Sequence, residues 1–153
     1  YTEGKLKAIG VSNYMIRHLE EMKTYAKIMP MVNQFELHPL YYPVDLIEWC
    51  RNHNVVVQAY SSLARGVLLE AESLQKHAVL QSAAKRNNKT ISQVLLRWAW
   101  QHNFCIIPKS AGEQRIRENA DLDFELDDGE MNKMDEMHVV DGRKICWDPE
   151  TVV

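Results

Sequence analysis

The chain has 153 residues, with 18 Lys and Arg against 21 Asp and Glu, a net charge of −3 and 46% hydrophobic residues, the balance of one globular unit with its own core. It lacks the basic stripe that a nucleic-acid backbone requires, an uncharged run near the roughly 20 residues of a membrane span, and signal-peptide features. A cytoplasmic location is therefore expected, with neither nucleic acid nor membrane as a partner. Cys50, Cys105 and Cys146 are odd in number and far apart, as expected of reduced thiols. No C-x-x-C, H-x-x-x-H, H-E-x-x-H, G-x-G-x-x-G or Walker spacing occurs, so no metal site is expected.

In chain order, residues 1–4 read as the last turn of a helix closed by Gly4. A strand over 8–11 and a helix over 14–26 follow, then a strand over 31–37. The helix over 43–53 has Pro43 suited to its first position and Asn54 to a left-handed end. The strand over 55–60 carries the continuous run Val55-Val56-Val57, which predicts burial on both faces of a parallel sheet. A helical pair is expected near 74–86 and 90–102. Thr90-x-x-Gln93 forms a capping box there, and Ile91, Val94, Leu95 and Trp98 share a face for packing on the sheet. The strand over 104–107 stops at Pro108, and a last helix starts near Asp127, with Met131 and Met134 spaced for the core. Four strands with intervening helices make βαβ units whose functional loops lie at strand C-termini. Pattern alone leaves a doubly wound sheet and half of a barrel both open.

The densest chemistry lies between Ile106 and Asn119. Lys109 follows Pro108 directly, and Ser110-x-x-Glu113 reads as a capping box opening a helix. A cation beside a helix N-terminus favours an anion, and Arg115 adds to it, so the segment has the make-up of a phosphate site. Arg115, Glu118 and Asn119 stand at i, i+3 and i+4, where one face offers a guanidinium, an acceptor and an amide to a purine. That describes the adenosine end of NADP. The same residues also suit a solvated lysine, a simple N-cap and a surface ion pair.

This segment resembles the C-terminal signature of the aldo-keto reductase superfamily. Ile9-Gly10-Val11-Ser12-Asn13 resembles that family's fifth barrel strand, Val32 to Pro39 its sixth, and Gln58-Ala59-Tyr60-Ser61-Ser62-Leu63 its seventh, in the family's order. The resemblance runs from about Gly4 to the C-terminus. It implies an α/β fold, the C-terminal half of a (β/α)8 TIM barrel, with four parallel strands and helices on the outer face. It also implies NADP(H) as cofactor. Lys109, Ser110 and Arg115 would hold the 2′-phosphate, and Glu118 and Asn119 would contact the adenine. Ser12, Asn13 and Gln34 would hold the nicotinamide carboxamide, Tyr60 would stack on the nicotinamide, and Ser61 and Leu63 would meet the pyrophosphate. His38 reads as structural in the family. Individually, the Ser-Asn pair also suits a turn, Gln34 a backbone partner and Tyr60 a gap filler.

A full barrel takes about 250 residues, and this chain falls about a hundred short of that. Residues 1–153 are therefore expected to be a partial NADP-dependent oxidoreductase domain, with residues 61–73 as one substrate loop and 138–153, including Trp147, as a tail loop. The resemblance places the catalytic aspartate, tyrosine, lysine and histidine in the other half, so no catalytic residue is expected here. The expected partners are a small carbonyl substrate in the full-length enzyme and the missing N-terminal half-barrel. The activity implied is reduction of aldehydes and ketones to alcohols. The alternative is a nonenzymatic NADP-binding or half-barrel interaction module, since open sheet edges favour pairing.

Overall fold

A computed structural model describes residues 1–151, the last without its side chain. The strands are β1 (Gly10–Ser12), β2 (Val32–Glu36), β3 (Val56–Tyr60) and β4 (Cys105–Ile106), hydrogen-bonded in the order β1-β2-β3-β4. All three pairings are parallel. The helices are α1 (Ile16–Met22), α2 (Val44–Asn52), α3 (Ala71–Lys76), α4 (Ala78–Asn87), α5 (Ile91–Gln101), α6 (Glu113–Ala120), α7 (Asp128–Asp135) and α8 (Met137–Asp141). Short 3₁₀ segments lie at Ala64–Leu69 and Pro149–Thr151.

The strand order has no reversal, and right-handed crossovers between successive parallel neighbours place the intervening helices α1 to α5 on one face. A doubly wound sheet requires a switch point, so the order selects the barrel half. Side chains alternate across the sheet. Asn33, Phe35, Val57 and Ala59 are buried on the helix side, against Leu19, Leu46, Ile47, Leu80, Leu95 and Trp98 of one core. The opposite, concave face carries the in-register sets Val32 and Val56, Gln34, Gln58 and Cys105, and Glu36 and Tyr60.

That alternation corrects the expected burial of Val55-Val56-Val57 on both faces. Val56 is 50% exposed and Val57 4%, because no helix among the described residues covers the concave side. The expected helical pair between β3 and β4 is three helices. The first break falls at His77, whose φ of −116° and ψ of 65° are non-helical, and whose buried ring faces Asp141 Oδ2 at 3.3 Å. Pro43 caps α2 from one residue before its first position, while Asn54 takes the expected left-handed form with φ 56°. The Thr90 capping box is present on both sides, Gln93 N donating to Thr90 Oγ1 at 3.2 Å and Thr90 N to Gln93 Oε1 at 2.9 Å. Residues 1–4 form a turn in which Gly4 N donates to Tyr1 O at 2.8 Å. The tail departs at Gly142, since Met137–Asp141 is helical with Met137 buried. Val152 and Val153, the end of the expected tail loop, lie outside the described residues.

Candidate functional site

The C-terminal ends of β1, β2 and β3 converge on one polar group. Asn13, just past β1, is left-handed with φ 60°, and its N–H donates to Gln34 O at 2.8 Å. From the helix side, fully buried Asn33 donates to Tyr14 O at 2.8 Å and pins the same loop. Tyr60 donates its hydroxyl to Asn13 Oδ1 at 2.9 Å, and Asn13 Nδ2 donates to Ser12 Oγ at 3.2 Å. Burial pushes the Tyr60 phenol above its ordinary range, with Cys146 and Glu36 acting in the same direction, so the hydroxyl remains a donor. Gln34 donates to Gln58 Oε1 at 2.5 Å. Ser12, Asn13, Gln34 and Tyr60 are thus brought together, with Gln58 as an added partner.

The loop after β3 turns sharply. Ser61, Ala64 and Arg65 hold φ of 53°, 47° and 53°, a conformation costing a non-glycine residue about 1–2 kcal/mol. Gly66, with φ 97°, completes the turn where a side chain would be strained. Together with the loop after β4 it walls a cleft of about 490 Å³ lined by Ser61, Leu63, Arg65, Gly66 and Lys109. No carboxylate lies among the described residues lining that cleft, so its two cations are not neutralised within it. Arg65 is not among the residues that sequence pattern singles out. Its signal is the Arg-Gly step, which has meaning only once the left-handed turn brings it into the cleft that Lys109 also lines.

Beyond Lys109, the expected Ser110 capping box is absent. The Ser110 hydroxyl instead takes hydrogen bonds from Gly112 N at 3.3 Å and Arg115 Nε at 3.2 Å, and α6 begins at Glu113 with Gly112 as its cap. Ser110 therefore ties the Gly112 cap to the Arg115 side chain, and it is not itself the N-cap of α6. Glu118 accepts from Gln114 at 2.8 Å, while the Arg115 guanidinium stays with the serine. Arg115, Glu118 and Asn119 occupy one face of α6. Ser61 and Leu63 follow Tyr60 in the loop after β3 and share their cleft with Lys109.

One acidic group escapes the sequence pattern. Glu36 is fully buried and accepts from His38 Nε2 at 3.0 Å, Lys144 Nζ at 2.9 Å, Ile145 N at 2.7 Å and Cys146 N at 3.0 Å. Burial pushes its pKa up, but the donors from His38, Lys144, Ile145 and Cys146 outweigh burial and bring it from 4.5 to about 2. His38 is equally buried and serves this carboxylate, in keeping with a structural histidine.

Four parallel strands, one helical face and polar groups gathered at the strand C-termini define half of a (β/α)8 barrel with its ligand rim. The model of the Aldo/keto reductase family matches residues 1–139, and the chain belongs to that family. It is 45% identical over 139 residues to the glyoxal reductase of Bacillus subtilis, covering 90% of this chain and 48% of that protein. It is 43% identical over 151 residues to a 9,11-endoperoxide prostaglandin H2 reductase of Trypanosoma cruzi, covering 98% of this chain and 52% of that one. The structure of a Gox0644 mutant in complex with NADPH superposes with a TM-score of 0.88 at 34% identity, over 99% of this chain and 54% of that one. The chain spans about half the length of the curated relatives it matches. Among the described residues, no helix is long and apolar enough to cross a membrane.

Proposed function

We propose that residues 1–153 form the cofactor-holding part of an NADPH-dependent aldo-keto reductase, a partial oxidoreductase domain whose complete barrel reduces aldehydes or ketones to alcohols. The observation that carries this reading is the cleft shared by the loops after β3 and β4, which Arg65 and Lys109 line together with Ser61 and Leu63, a setting suited to a dinucleotide's phosphates. Ser12, Asn13 and Gln34 offer an amide-binding set at one end. Arg115, held by Ser110, offers a guanidinium at the other. The NADPH complex of a structural neighbour supports the same choice of cofactor.

When bound, the cofactor supplies a hydride from its nicotinamide ring. Ser12, Asn13 and Gln34 would fix the carboxamide and so choose which ring face is presented. Tyr60 would stack on the ring, its hydroxyl already tied to Asn13. Ser61 and Leu63 would meet the pyrophosphate. Lys109, Ser110 and Arg115 would select the 2′-phosphate, and Glu118 and Asn119 would hold the adenine. The carbonyl substrate and the N-terminal half-barrel are the remaining partners.

The aspartate, tyrosine, lysine and histidine implied by the family resemblance have no counterpart among these site residues. Without the acid and the groups that tune its pKa, the developing alkoxide is unstabilised. We therefore expect this chain to bind NADPH without turning over aldehydes. A fluorescence titration with NADPH and NADH, followed by absorbance at the NADPH band with aldehyde present, tests both statements. Equal affinity for the two cofactors, or none for NADPH, would overturn the cofactor reading. Turnover above a buffer blank would overturn the division of labour.

A further inference from the structure

After α8 the chain turns at Gly142, where an added Cβ would lie 2.1 Å from His138 O, and residues 143–151 cross the rim of the half-barrel. Arg143 N donates to Leu40 O at 2.9 Å. Lys144 lies over the Tyr41 ring, its Nζ 4.3 Å from the centroid, while donating to Glu36 Oε2. The amides of Ile145 and Cys146 also end on the Glu36 carboxylate. The next contacts fall on the candidate cofactor site. Cys146 Sγ is 3.3 Å from Ser61 Oγ, and Trp147 and Pro149 share a cavity of about 260 Å³ with Ser12 and Asn13. At the other end of the strap, Arg17 donates to Glu150 O at 3.0 Å.

Glu36 is also the in-register neighbour of Tyr60 across β2 and β3. One buried carboxylate therefore stands beside the ring proposed to stack on nicotinamide and holds the backbone of the strap above it. We infer that Glu36 is a positioning residue that clasps residues 144–146 onto the rim and thereby sets Cys146 against Ser61, so that the strap and the nicotinamide end of the cofactor cradle close as one unit. Charge-assisted bonds to consecutive amides fix the register of the strap, which a nonpolar contact would leave free to slide. The coupling rests on the cofactor reading above, whereas the clasp itself does not.

The three cysteines provide the measurement. Cys50 is buried, Cys105 exposed and Cys146 intermediate, so maleimide labelling followed by peptide mass spectrometry reports global opening, free reactivity and strap opening separately. In Glu36→Gln, Cys146 should label faster relative to Cys105 by about tenfold, the size set by losing one well-formed charge-assisted bond. Cys50 should stay unlabelled, and the dissociation constant for NADP+ should rise. Should Glu36→Gln fail to fold, Lys144→Met removes the cation alone and should move Cys146 in the same direction by less. An unchanged Cys146 ratio, or Cys50 rising in step with it, would overturn the clasp. An opened strap with unchanged NADP+ affinity would overturn the coupling. If the wild-type chain takes no NADP+, the cofactor reading fails and the coupling with it, while the Cys146 ratio still decides the clasp.

Discussion

The Glu36 clasp sets a definite acid dependence of stability. Its carboxyl is held at about 2 against 4.5 for the free group, a gap that corresponds to about 3 kcal/mol. Because the folded value lies below the unfolded one, this contribution is fully present above pH 4.5 and drains away as pH falls toward about 2. Urea unfolding followed by tryptophan fluorescence, on the wild type and on Glu36→Gln, gives the difference in stability at each pH. That difference should be largest near neutrality and should narrow by about 3 kcal/mol as Glu36 protonates. The subtraction removes the other carboxylates with lowered pKa values, such as Asp121 beside Lys89 and Asp141 beside Lys76, since both proteins share them. Two parallel curves would show that the carboxylate draws no stability from its ionised form, and the charge-assisted account of the clasp would be wrong.

In a complete barrel, Lys109→Ala and Arg115→Ala should each raise the dissociation constant for NADPH by about tenfold, the low end of a charge-assisted bond because both sites are solvent-screened. NADH should change little; equal losses for both cofactors would mean that the residues support only the fold. Removing the capping box with Thr90→Ala should cost about 1 kcal/mol of stability, measured by urea midpoint, and no loss would mean that α5 is held by packing alone. Leu95→Ala, at a fully buried site between helix and sheet, should cost about 2–5 kcal/mol. A smaller loss in a thermal melt would show that the site collapses around the missing volume.

What sequence reveals of the fold is what neighbours in sequence determine. The Thr90 to Gln93 capping box closes within one turn, so its two bonds are legible as a spacing. The left-handed Asn54 is legible for the same reason. Element ends set by distant partners are not. The helix break falls at His77, whose ring meets Asp141, 64 residues away, and nothing in the local pattern marks it. Val56 reads as core because its neighbours are valines, yet its exposure follows from which face the crossovers cover. The Ser110 box fails in an instructive way: both of its residue types are present, but the hydroxyl has a competing guanidinium at Arg115, and a serine with two available donors need not cap.

The candidate site divides along the same line. Ser12, Asn13 and Tyr60 sit at the ends of β1 and β3, Lys109 and Ser110 lie in the loop after β4 and Gln34 lies in the middle of β2, and parallel βαβ units bring strand ends together whatever the intervening helices do. The grouping of Ser12, Asn13 and Tyr60 is therefore implied by topology before any side chain is placed. Glu36 has the same position on β2 and carries no local mark, because its meaning comes from Lys144 and Cys146, which are 108 and 110 residues away. An acidic residue in a buried strand, with desolvation working against its charge, is itself the missing signal: it must find donors. Lys144, Ile145 and Cys146, in the stretch after α8, supply them. That physical demand ties the tail to the rim at Glu36.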